Sequence, residues 1–184
     1  MIAEQLKEIC HDVKIEPQLQ QITGEVISGN IFAEARSDVS ARGFWVKGQT
    51  AFFDIRVFDP NARRYATRNL AQCYKSNETE KKNQYNQRII EVDQGSFCPL
   101  IFSVNGGTSN ECSVFLKRLM NLIAKKRNEH ISTITSFMRT KINFALLRSI
   151  LLCIRGSRSL SDRNVEPLSN IAIDGALQEA TIVE

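Results

Sequence analysis

Apolar residues along this chain change between two spacings, and the changes mark its elements. Ile2, Leu6, Ile9 and Val13 recur every three to four residues and predict an amphipathic helix over 2–12. Val13-Lys14-Ile15-Glu16-Pro17 alternates like a short strand that stops at the proline. A polar stretch with Gly24 and Gly29 predicts a loop or short hairpin. Two strands follow, at about 38–46 and 50–58, joined through Lys47-Gly48-Gln49; Asp59-Pro60-Asn61 ends the second with turn residues. Residues 65–88 are polar and helix-permissive, and Glu78, Glu80, Lys81, Lys82 and Arg88 are spaced for ion pairs. Cys98-Pro99-Leu100-Ile101-Phe102-Ser103-Val104 predicts another strand, closed by Asn105-Gly106-Gly107. Thr108-Ser109-Asn110-Glu111 would cap a helix over 110–127, and a second helix spans 132–155 up to Gly156.

This order predicts an α/β (α+β) fold: a mixed central sheet of about four strands flanked by helices, with a C-terminal basic helical hairpin at about 110–156. Residues 1–158 would form one domain, and the acidic, weakly periodic stretch 159–184 a mobile tail.

Composition narrows the partners. The chain is 184 residues long and 42% hydrophobic, enough for a real core. No run reaches the roughly 18 apolar residues that span a bilayer, so no membrane association is expected. The five cysteines (Cys10, Cys73, Cys98, Cys112, Cys153) are odd in number and far apart, which argues against zinc and a disulfide framework and for a reducing compartment, nucleus or cytoplasm. With only His11 and His130, a histidine-based nucleophile triad is poorly supplied. Charge is uneven. Residues 111–158 hold 10 basic side chains against Glu111 and Glu129. Such a stretch suits nucleic-acid backbone, DNA and possibly RNA, with Arg36, Lys117, Lys125, Lys126, Arg127, Arg139 and Lys141 as candidate contacts; a solvated helical face is the plainer reading.

The chemistry lies in the two strands. Asp38 and Asp54 each stand among apolar residues on segments adjacent in sequence, and such segments usually pair. Two neighbouring carboxylates removed from water call for a cation, and Mg2+ suits all-oxygen ligands. Acids holding Mg2+ beside a lysine or arginine form a site for cutting phosphodiesters. Trp45 beside Phe44 reads either as a base-stacking platform or as core packing, and Asn105-Gly106-Gly107 as a phosphate loop or a plain turn.

The path Asp38…Asp54-x-Arg56 resembles that of the PD-(D/E)XK restriction-endonuclease-like nucleases, in which the second acid precedes a lysine by two residues. Further blocks resemble the C-terminal endonuclease-type segments of non-LTR retrotransposon proteins that carry a reverse transcriptase. These are Glu8-Ile9-Cys10-His11-Asp12-Val13 with Glu16-Pro17, Ala35-Arg36-Ser37-Asp38-Val39, Gly43-Phe44-Trp45, Phe52 to Phe58, Glu80-Lys81-Lys82 with Tyr85, and Arg155-Gly156-Ser157-Arg158-Ser159. The resemblance implies a metal-dependent endonuclease that nicks target DNA. Asp38, Asp54 and the Ile55 carbonyl would hold Mg2+ or Mn2+, with Glu8 as a third acid. Arg56 stands where the family has lysine and cannot deprotonate water. The resemblance implies a cation from the following helix instead, Lys81 with Tyr85 or, second, Lys82. The alternative is a degenerate nuclease fold that only binds nucleic acid. The resemblance also implies a preceding reverse transcriptase, which is not in this sequence, so that the chain would be a fragment or decayed copy.

Overall fold

The computed structural model describes residues 1–19 and 36–155, with side chains up to residue 152. The expected loop around Gly24 and Gly29, the tail 159–184 and the side chain of Cys153 lie outside the described residues. The chain divides into a unit Met1–Ser149 and a second, Ile150–Glu184, of which only the end of one helix is described.

In chain order the elements are α1 (Ile2–Ile9), β1 (His11–Ile15), β2 (Val39–Arg42), β3 (Thr50–Phe58), a 3-10 turn (Arg63–Tyr65), α2 (Leu70–Glu91), β4 (Ser96–Ser103), α3 (Asn110–Arg127) and α4 (Ile131–Arg155). Four strands form one mixed sheet in the order β1-β2-β3-β4. The β1–β2 and β2–β3 pairs are antiparallel. The β3–β4 pair is parallel, with Asp54 opposite Pro99, because α2 carries the chain back across the sheet. Pro99 has no amide to give a ladder and is accommodated on an edge strand.

Two elements are shorter than the sequence predicts. α1 stops at Ile9 because Cys10 is extended and His11 enters the sheet. β2 stops at Arg42 because Gly43 turns left-handed (φ 88°), a conformation open to glycine, and its amide donates to the Gln49 carbonyl at 2.9 Å. The turn is tied to α3 from outside: Arg118 donates to the carbonyls of Phe44 (2.8 Å) and Trp45 (3.0 Å). α2 begins on a capping box, in which Asn69 and Gln72 bond reciprocally to each other's backbone amides.

β3 has two different faces. Ala51 and Phe53 enter the main core with Leu6 of α1 and Phe115, Leu119 and Ile123 of α3, and Ile55 and Val57 pack against it. That core also takes Ile134, Met138, Ile142 and Leu146, one stripe of α4 at four-residue spacing. Phe52 and Phe58 point the other way, into two smaller clusters under α2, with Tyr85 and Ile89 and with Tyr65 and Cys73. Asp54 and Arg56 stand between them on this α2 face. Cys73, Cys98 and Cys112 are buried, free thiols; burial pushes Cys98 up to about 12, which suits packing rather than nucleophilic chemistry. No helix among the described residues is long and apolar enough to cross a membrane.

Candidate functional site

The α2 face of β3 gathers Asp54, Lys81 and Tyr85, and Asp38 joins them from the edge of β2. Alternation along β3 turns Asp54 to the side where α2 lies, so its carboxylate is covered by a helix rather than by water. Only 5% of that side chain is exposed, and Lys81 meets it at 2.8 Å. Burial raises the Asp54 pKa; the Lys81 ammonium opposes that shift, and the nearby Asp38 charge adds to it. Lys81 in turn lies over the Tyr85 ring, 5.4 Å from its centroid. The Tyr85 hydroxyl is pushed up, first by burial and then by Asp54. The four side chains therefore act on one another electrostatically.

Asp38 precedes β2 and reaches β3 where the ladder between those strands has ended. Its carboxylate accepts from the Ile55 amide at 2.6 Å. Within a strand, a residue's N–H and C=O leave on the same side, so the Ile55 carbonyl shares the edge that Asp38 occupies. Asp38 and Asp54 are thus near enough for the charge of one to shift the pKa of the other. Among the described residues, no group of three His, Cys, Asp or Glu forms a metal cage. The donor set fits Mg2+ nonetheless, since that ion usually takes one or two carboxylates and keeps several waters.

α2 decides which cation serves the site. Cys73, Asn77, Tyr85 and Ile89 are buried at four-residue spacing, and Lys81 occupies the remaining position of that stripe. Lys82 is one residue round the helix and pairs with Glu111 at the start of α3. The structure thus brings Lys81, and not Lys82, to Asp54.

Arg56 lies two residues after Asp54, on the same face. Its guanidinium meets Glu80 at 3.0 Å, and Arg64 takes the other oxygen of that carboxylate at 3.3 Å. Both arginines hold the Glu80 pKa down, Arg56 most strongly. Glu80 is the residue that sequence reasoning missed: it stands beside Lys81 and restrains the arginine in the lysine position. Its spacing suggests only an ordinary helix surface, because its partners lie 16 and 24 positions back.

The remaining predicted residues lie elsewhere. Glu8 forms a two-pronged pair with Arg127 (2.6 and 2.7 Å). Lys126 donates to the Glu8 backbone carbonyl. The Arg127 pair keeps the Glu8 carboxyl below its usual range. These contacts fasten α1 to α3 and do not join Glu8 to Asp38 or Asp54. Arg36 pairs with Glu16 at 3.9 Å. Lys141 covers the Phe137 ring, 4.8 Å from its centroid. Lys125 is exposed, and Lys117 and Arg139 share a cleft beside the loop after β4. Phe44 is fully buried among Phe53 and Phe115 and offers no free ring face for stacking; Trp45 is half-buried, meets Phe44 at a near-right angle and carries Arg118 over its ring. The turn Asn105-Gly106-Gly107 folds on itself, with the Gly106 and Gly107 amides both bonded to Ser103.

No protein-family model matches this chain, and no curated protein matches it.

Proposed function

We propose that this chain is a metal-dependent endonuclease domain of the PD-(D/E)XK kind, related to retrotransposon endonucleases, that nicks DNA by hydrolysing a phosphodiester. The observation that carries the reading is the buried Asp54 paired with Lys81 from the following helix, beside Asp38 on the adjacent strand edge. A carboxylate buried at this depth usually serves packing poorly, and perturbed carboxylates beside a lysine are frequent at functional centres.

Asp38, Asp54 and the Ile55 carbonyl would hold Mg2+ or Mn2+. When bound, the ion acidifies a water and offsets charge on the scissile phosphate. Asp54 and Asp38 set the position of that charge because each is fixed by the protein, one by Lys81 and the other by the Ile55 amide. The Lys81 side chain is more than four-fifths withdrawn from water and held over Tyr85, where its ammonium orients the attacking water or stabilises the extra negative charge of the pentavalent phosphorus. Tyr85 keeps its proton and shields one side of the ammonium from solvent. Arg56, permanently charged, adds positive potential next to the phosphate while Glu80 fixes where its guanidinium lies. The exposed cations Lys117, Lys125 and Arg139 would contact the backbone of the substrate. Lys126 and Arg127 contribute less, being engaged by Glu8.

Nicking of supercoiled plasmid with Mg2+, compared between the parent chain and Asp54→Asn, tests the reading. Cleavage in the parent that disappears in the variant supports it; equal cleavage by both removes Asp54 from the chemistry.

A further inference from the structure

The loop after β4 and the helices α3 and α4 line an open cleft of about 530 Å³, inside the usual range for small-ligand sites. Its floor is apolar, formed by Leu116, Met120 and Ile142. Its rim is polar and carries two cations, Lys117 from α3 and Arg139 from α4, and no carboxylate lines it. Among the described residues neither cation is paired with an acid, unlike Lys82, Arg56 and Arg127, each of which is. Asn105 and Asn143 both line the cleft, and Gly106 lies beside Asn143, whose side-chain oxygen would be 3.7 Å from a Cβ added there. Gly106 turns left-handed (φ 84°), a conformation open to glycine.

We infer that this cleft binds a single nucleotide unit, its phosphate held by Lys117 and Arg139 and its base laid on the apolar floor between Asn105 and Asn143. Each feature selects part of that ligand. Two unpaired cations without a competing carboxylate favour a phosphate over a neutral sugar or a peptide. Primary amides offer a donor and an acceptor together, as a base edge does. An aliphatic floor accepts the flat face of a ring while the open mouth leaves room for a sugar. The inference rests on the reading of Lys117 and Arg139 as nucleic-acid contacts; it does not rest on the carboxylate centre, none of whose residues lines the cleft.

An amide chemical-shift titration of the full chain tests it, with deoxyadenosine monophosphate, inorganic phosphate and deoxyadenosine as separate probes. The monophosphate should produce saturable shifts centred on Gly106, Thr108 and Asn143. Phosphate alone should act at the same place more weakly. Replacing both cations (Lys117→Gln with Arg139→Gln) should weaken the monophosphate by roughly tenfold or more. The two side chains are exposed, so the variant should keep the parent's spectrum elsewhere. A short oligodeoxyadenylate that binds more tightly than the mononucleotide at these amides assigns the site to a nucleotide within a strand; weaker binding assigns it to a free nucleotide. Shifts scattered over all exposed lysines and arginines, or affinity unchanged in the double variant, overturn the proposal. Asp54→Asn should bind the monophosphate as the parent does, so a chain that fails to nick plasmid can still pass this test.

Discussion

Phe53 and Asp54 are consecutive residues of β3, yet they belong to two differently built halves of the molecule. Phe53 lies fully buried with its ring 4.8 Å from Phe115 and 5.4 Å from Phe44, in a core shared by α1, α3 and α4. Asp54 is nearly as deeply buried on the opposite face, but among Lys81, Tyr85 and the charge of Asp38. The first face is held by apolar area and dispersion, terms without direction. The second sets, between two smaller apolar clusters, ion pairs whose members must each find a partner. A strand with a two-residue period can therefore separate what folds the domain from what could do chemistry, without separating them in sequence.

Substitutions on the two faces should break in different ways. Phe53→Ala should cost about 3–5 kcal/mol of stability, measured by urea unfolding, because it opens a cavity in a closed cluster. Lys81→Met should lower the rate of plasmid nicking by about 10²–10³, as expected when a charge aimed at the reacting phosphate is removed, and should also lower the melting temperature, because it leaves the buried Asp54 carboxylate without its cation. An equal loss for Lys82→Met would mean that the helix faces have been assigned wrongly. A smaller effect concerns pH. Because burial raises the Asp54 pKa, the folded chain retains a proton there that the unfolded chain has lost. The contribution of Asp54 to stability is therefore full below its ordinary value of 3.8 and is lost as pH rises through the folded value. The unfolding free energy of the parent minus that of Asp54→Asn should fall as pH rises from about 3.5 to 7. A rise would mean that the Lys81 pair outweighs desolvation. The smallest effect should follow Glu8→Gln. It loosens an exposed pair between α1 and α3, shifts melting slightly, and leaves nicking unchanged; a large loss of nicking would return Glu8 to the metal.

Much of the fold is legible in the sequence where alternation or spacing is strong. The strand over 50–58, the helix over 110–127 and the mixed sheet of four strands follow from such patterns. The ends of α1 and β2 do not, because a left-handed glycine and an entering edge strand decide them locally. The pairing of Asp38 with Asp54 follows from adjacency of strands. The choice of Lys81 over Lys82 is also written in the chain, as the spacing of Cys73, Asn77, Lys81, Tyr85 and Ile89, once α2 is known to lie on the sheet. The partners of Glu8, Glu80 and Lys82 are not, since their contacts bridge 119, 24 and 29 positions and depend on the parallel register of β4 and the placement of α3.

The central claim is that Asp38 and Asp54 form one metal-assisted centre with Lys81. Its most direct test is the nicking of supercoiled plasmid by the parent chain in Mg2+ or Mn2+, beside EDTA and the Asp38→Ala and Asp54→Ala variants. The account predicts metal-dependent nicking that EDTA and each variant abolish while salt-sensitive DNA binding persists. DNA binding with no nicking by the parent under either metal would contradict it, and leave an α/β domain that only holds nucleic acid.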